Sequence, residues 1–161
     1  MNTTFEGMTS TGTDVWLTPP YILEALGEFD LDPCSPIERH WDTAKKHYTI
    51  IDDGLKQEWS GRVWCNPPYG REAQKWIKKC ADHGDAMLFI FARTETKMFF
   101  NYIWDQADAL FFLKGRIRFH MANGIRKEQN AGAPSVLVAY GDQNAEILKN
   151  CKLEGKYIDL R

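Results

Sequence analysis

A chain of 161 residues, 43% apolar and 26% charged, has room for one compact domain with a buried core and none for a second large one. Its net charge of -2 excludes a global pull towards nucleic acid, so any such site must be a local patch. The four cysteines, Cys34, Cys65, Cys80 and Cys151, lack CxxC spacing, which argues for free thiols in a reducing cytosol and against a zinc site or a disulfide framework.

Residues 1–13 are small and polar and predict a flexible lead-in to a domain spanning 14–161. The N-terminus lacks an apolar core of signal-peptide length, and no apolar run reaches membrane-spanning length. "LTPPYILEALG" predicts a helix capped by Thr18, with Pro19 in its first turn and Gly27 at its end. "EFDLDPC" predicts a short strand stopped by Pro33. Residues 35–60 are the least regular part, with a short strand expected in "HYTIIDDGL" before Asp52-Asp53-Gly54. "RVWC" predicts a strand that runs into "NPPYG". Ala73, Trp76, Ile77 and Cys80 then fall on one helical face. "AMLFIFA" reads as a central parallel strand buried on both faces. "TETKMFFNYIWDQ" predicts a helix capped by Thr94, and "ALFFL" another buried strand. "GRIRF" puts Ile117 and Phe119 on one face and Arg116 and Arg118 on the other. Residues 120–133 form a long polar loop, "SVLVAYG" a last strand, and residues near 143–150 a short helix. Strands alternating with helices predict an α/β fold, Rossmann-like, around a mostly parallel twisted sheet, with ligands at the carboxyl ends of the strands.

Asn66-Pro67-Pro68-Tyr69 stands at such an end. Two prolines supply no N–H, so the carbonyls of Asn66 and Pro67 are expected to be free. The Asn66 side-chain oxygen and the Pro67 carbonyl then form a rigid pair of acceptors beside the flat face of Tyr69. Such a pair suits a planar group bearing an NH₂, with both hydrogens accepted and the ring stacked. These four are the candidate catalytic residues. An Asn-Pro turn without function is the competing reading.

In chain order, "WLTPP", "DLDPC", "DDGL", "NPPY", "FARTETKMFF", "FFLKGRIRF" and "GAPSVLVAYG" resemble the blocks of the phage-type DNA N-6-adenine methyltransferase (Dam-like) family, from about residue 14 to 141. The resemblance implies S-adenosylmethionine as cofactor, no metal, adenine in DNA as substrate, and the cytoplasm as location, that of a bacterial host if the chain is phage-encoded. It implies cofactor contacts from Thr18 and Pro19, from Asp32, Pro33 and Cys34 after the first strand, and from Asn66. Asp53, just ahead of the catalytic strand, suits ribose hydroxyls or the adenine amino group, with Leu55 against the adenine ring, and an Asp-Gly turn is the competing reading there. Cys34-Ser35-Pro36 replaces the Gly-x-Gly turn usual at the end of that first strand. "NPPY" is shared with methyltransferases of protein glutamine and of RNA bases, and a non-catalytic DNA-binding module of the same fold is a further alternative.

Between residues 114 and 127 lie Lys114, Arg116, Arg118, Arg126 and Lys127 with no acidic residue, a segment able to grip DNA phosphates, and Arg93 is placed to join it. A solvated charged face is the competing reading.

Overall fold

Val63, Trp64 and Cys65 are sealed from water on both faces, as befits an interior strand. Around them the computed structural model describes residues 16–121, 125 and 132–161. The predicted lead-in 1–13 and the candidate DNA contacts Arg126 and Lys127 lie outside the described residues.

The strands are β1 (Trp16–Leu17), β2 (Leu31–Asp32), β3 (Lys46–His47), β4 (Val63–Cys65), β5 (Ala86–Phe91), β6 (Ala109–Leu113), β7 (His120–Met121), β8 (Ser135–Tyr140) and β9 (Gly155–Asp159). The helices are α1 (Pro20–Leu26), α2 (Ala73–His83), α3 (Lys97–Phe99, passing into a π-helical turn at Phe100–Trp104) and α4 (Asp142–Asn150). β1 and β7 form a small antiparallel pair, with Leu17 opposite His120. The other seven strands make one sheet in the order β3-β2-β4-β5-β8-β6-β9.

That sheet corrects the expectation of a mostly parallel one. β3, β2, β4 and β5 pair in parallel, but through short ladders. β8 enters between β5 and β6 antiparallel to both, and β9 pairs antiparallel with β6. The sheet is therefore mixed, and most of its paired residues are antiparallel. An unbroken apolar run such as Ser135–Tyr140 reports burial on both faces and is silent about direction.

Two apolar layers sandwich the sheet. On one face α2 packs through Ala73, Trp76, Ile77 and Cys80 against Val63, Cys65, Leu88 and Val138, with Phe99 and Ile103 beside them. On the other, Ile22 and Leu26 of α1 and Ala145 and Leu148 of α4 cover Trp64, Met87, Phe89, Phe111 and Leu137. Alternate residues of each central strand thus feed opposite layers.

Local corrections follow from backbone chemistry. Pro19, not Thr18, occupies the cap of α1, with Pro20 in the first turn, and Gly27 ends the helix at φ 81°. Thr96, not Thr94, caps α3, its hydroxyl accepting the Phe99 N–H at 3.2 Å. The strand expected just before Asp52 is instead β3, several residues earlier. Tyr48 to Leu55 form turns, in which the Asp52 carboxylate accepts the Thr49 N–H at 2.8 Å. β9 is an edge strand that the sequence pattern does not announce.

Candidate active site

From β2 the chain moves outward to β3, then returns on the opposite side of β2 as β4. Such a reversal opens a crevice between the carboxyl ends of the two diverging strands, where α/β sheets hold ligands. Asp32-Pro33-Cys34 form one lip and Asn66-Pro67-Pro68-Tyr69 the other. The Cys34 thiol joins them, donating to the Asn66 carbonyl at 3.3 Å and lying 3.8 Å from the Cys65 sulfur. Burial pushes the Cys65 thiol well above its ordinary pKa.

The Asn66 carbonyl is thus not free, contrary to expectation. The Pro67 carbonyl meets no donor among the described residues. The Asn66 amide is oriented by its own donor: Nδ2 donates to the Thr18 hydroxyl at 3.3 Å, leaving Oδ1 without a donor among the described residues. Thr18 is only 2% exposed. It follows directly on Leu17 of β1, and its carbonyl accepts the Trp41 indole N–H at 3.1 Å. The Trp41 ring meets His120 edge-on, with centroids 5.1 Å apart. Pro19 then turns the chain into α1.

Asp32 is buried and commits both oxygens to the protein. Oδ1 accepts the Cys34 N–H at 3.1 Å, and Oδ2 accepts the Thr43 hydroxyl. The first of these bonds reaches two residues on and closes a tight turn without glycine. Burial pushes the carboxyl up to about 6, against the opposing pull of these two hydrogen bonds and of Arg39. The loop that follows is held by Ser35 N–H donating to the Tyr48 carbonyl and Tyr48 N–H donating to the Asp32 carbonyl, each at 2.9 Å.

Gly54 explains how "DDGL" reaches this crevice. A Cβ on it would lie 2.0 Å from the Pro33 carbonyl oxygen, a position only glycine can occupy. The close approach puts Asp53 and Leu55 directly beside Pro33. Asp53 sits in the left-handed region at φ 55°, its exposed carboxylate 3.6 Å from the Lys56 ammonium. Leu55 is half-buried against the α2 layer. A surface groove of about 760 Å³, lined among others by Leu55, Gln57, Trp59, Lys75, Lys79 and His83, touches this set only at Leu55.

Tyr69 lies flat on Phe91, the last residue of β5, with centroids 4.4 Å apart and ring planes 3° from parallel. Burial pushes its hydroxyl well above the usual phenol range, so the group is a neutral phenol and no base at ordinary pH. The Arg93 guanidinium stands 5.8 Å from the Phe91 ring centroid, which makes a column of Tyr69, Phe91 and Arg93.

The basic segment is only partly assembled. β6 and β5 both oppose β8 and so run the same way, which brings Lys114 and the residues after it to the edge that carries "NPPY". Ile117 and Phe119 are buried as the alternation predicts, while Arg116 is exposed and Arg118 half-buried. Lys114 finds an acid from outside the segment, Glu154, at 4.0 Å.

Two side chains at the site carry no motif, Trp41 and Thr43, and a tryptophan in the otherwise polar "ERHWDT" is the one available signal. Phe91 opens the block "FARTETKMFF", but nothing there marks it as a partner of Tyr69.

No curated protein and no solved structure matches the chain. A family model does, the one described as DNA N-6-adenine-methyltransferase (Dam), over residues 7–152. With the match spanning most of its length, the chain belongs to the DNA N-6-adenine-methyltransferase (Dam) family.

Proposed function

We propose that the protein transfers a methyl group from S-adenosylmethionine to the exocyclic amino group of adenine in DNA, in a domain spanning residues 14–161 and in the cytoplasm. The observation that carries this reading is the pair of acceptors at the strand reversal, Asn66 Oδ1 and the Pro67 carbonyl, beside a flat aromatic column. The parallel half of the sheet, β3-β2-β4-β5, is what supports a Rossmann-like reading of the fold.

The donor set fits the cofactor. Asp53 offers a solvent-facing carboxylate for hydroxyl or amino groups, and half-buried Leu55 offers apolar surface for a flat base. Asp32 acts differently: with both oxygens committed, it shapes the Pro33-Cys34 turn and Cys34 ties that turn to Asn66. When bound, S-adenosylmethionine supplies a methyl group already activated as a sulfonium.

Adenine's amino nitrogen is a poor nucleophile because its lone pair is delocalised into the ring. Asn66 Oδ1 and the Pro67 carbonyl accept its two hydrogens and draw the nitrogen towards a tetrahedral form. The same two dipoles stabilise the positive charge that develops there. The amino group lies inside the duplex, so the base is flipped out, and Tyr69, backed by Phe91, is the surface on which it stacks. The released proton goes to water; Tyr69, a neutral phenol, does not take it. Arg93, Arg116 and Arg118 are assigned to the DNA backbone, with Lys114 held by Glu154 in the free protein.

The test is incubation of the purified protein with labelled S-adenosylmethionine and, separately, plasmid DNA, total RNA and a glutamine-bearing peptide. Label in DNA as N6-methyladenine is the expected result. Label only in RNA or peptide, or none in any, would overturn the reading.

A further inference from the structure

The geometry points to Thr18 as the positioning residue that sets the Asn66 amide for catalysis, in place of the contact with S-adenosylmethionine that the family resemblance implies for it. This rests on the reading of Asn66 as the acceptor of the adenine amino group. Four observations carry it. The Thr18 hydroxyl is almost wholly buried and lies 3.3 Å from Asn66 Nδ2. In that contact the hydroxyl is the acceptor, and a planar amide with its Nδ2 end held there presents Oδ1 on the opposite side. The Thr18 backbone is itself held, by β1 pairing with β7 and by the Trp41 indole on its carbonyl. Finally, its hydroxyl is not needed to cap α1, since Pro19 takes that position.

Without the hydroxyl, the Asn66 side chain can turn its NH₂ end towards the substrate. An NH₂ facing another NH₂ repels it and offers no acceptor. Thr18 thus acts through Asn66 and touches no reacting atom.

The experiment compares Thr18→Ser, Thr18→Ala and Thr18→Val by turnover at saturating DNA and cofactor, with S-adenosylmethionine affinity measured by calorimetry. Ser keeps the hydroxyl and should keep turnover within about two-fold. Ala and Val should each lose about ten-fold, the scale of one hydrogen bond, with cofactor affinity unchanged. In an Asn66→Ala background, Thr18→Ala should cost nothing further. The small Ser-to-Ala difference isolates the hydroxyl even if Val packs badly. Wild-type turnover in Thr18→Ala would overturn the proposal. So would weakened cofactor binding with unchanged turnover, which would place Thr18 on the cofactor. If the wild type itself transfers no methyl to DNA, the underlying reading fails; if it does and Thr18→Ala matches it, the positioning role alone fails.

Discussion

The two halves of the sheet are built on different principles. In the antiparallel half, β5, β8, β6 and β9 run five or six residues each, and all of β8 is buried. Backbone ladders and apolar layers hold it. In the parallel half, β3, β2 and β4 are two or three residues long and their loops are long. What fixes those loops is a set of specific polar and close-packed contacts: Asp32 with Thr43 and Cys34, Cys34 with Asn66, Asn66 with Thr18, Gly54 against Pro33. β5 belongs to both halves and delivers Phe91 to the site. One half supplies stability, and the other devotes little chain to strands and brings polar groups to one edge.

The sharpest way to break this contrast is a methyl group at each half's tightest glycine. A Cβ at Gly54 meets the Pro33 carbonyl oxygen at 2.0 Å, and a Cβ at Gly155 meets the Phe112 carbonyl oxygen at 2.2 Å. Gly54→Ala should cost more than about 3 kcal/mol at the crevice, because backbone meets backbone and neither loop can yield cheaply. S-adenosylmethionine binding should be lost. Gly155→Ala should lower the melting temperature, yet cofactor affinity should survive in the folded fraction. Equal damage to affinity in both variants would dissolve the distinction.

Asp32 gives the next largest effect, through pH. Its folded pKa of about 6 lies above the ordinary value of 3.8, so the folded state holds the proton more tightly than the unfolded chain. That contribution is complete below about 3.8 and is lost as pH rises through about 6. A displacement of this size corresponds to at most about 3 kcal/mol. Denaturant unfolding of Asp32→Asn beside wild type should therefore show the variant gaining on wild type by up to that amount between about pH 4 and pH 8. A pH-independent difference between the two would mean that the carboxyl is not buried as described.

The aromatic column comes third. Tyr69→Phe should keep most activity, since the ring and not the neutral hydroxyl does the stacking. Tyr69→Ala should lose about 1–3 kcal/mol of DNA or transition-state binding, and Phe91→Ala somewhat less, because it removes only the backing. Steady-state kinetics on the three variants checks the order. Phe as damaging as Ala at position 69 would assign the hydroxyl a chemical role.

The smallest effect is electrostatic. Arg116→Ala with Arg118→Ala should lower the slope of log DNA affinity against log salt by up to about 1.8, at about 0.9 for each phosphate that the protein no longer neutralises. Cofactor affinity should not change. An unchanged slope would move the DNA to another surface.

How much of this is legible in the sequence divides along the same line. The antiparallel half, its edge strand β9 apart, is readable as elements: Ala86–Phe91, Ala109–Leu113 and Ser135–Tyr140 stand out as apolar runs, and the α2 stripe of Ala73, Trp76, Ile77 and Cys80 fixes that helix's buried face. Direction is not readable, because burial on both faces gives the same pattern whichever way a strand runs. In the parallel half the motifs stand out in the sequence and their wiring does not. Nothing in "LTPP" says that Thr18 reaches Asn66, 48 positions on. Nor does "DLDPC" say that Asp32 commits its oxygens to Thr43 and Cys34. Such contacts depend on where distant loops meet, and only the fold brings them together.

The most direct measurement of the central claim, that Asn66 at the strand reversal drives adenine methylation, is made on plasmid DNA from cells without adenine methylation of their own. Wild type and Asn66→Ala are expressed in parallel, and the digested plasmid is assayed by mass spectrometry for N6-methyldeoxyadenosine. Wild type should yield the modified nucleoside, and the purified variant at least about 100-fold less in a matched rate assay, equivalent to about 3 kcal/mol of lost transition-state stabilisation. Equal methylation by the two proteins, with the variant folded and binding cofactor, would contradict it.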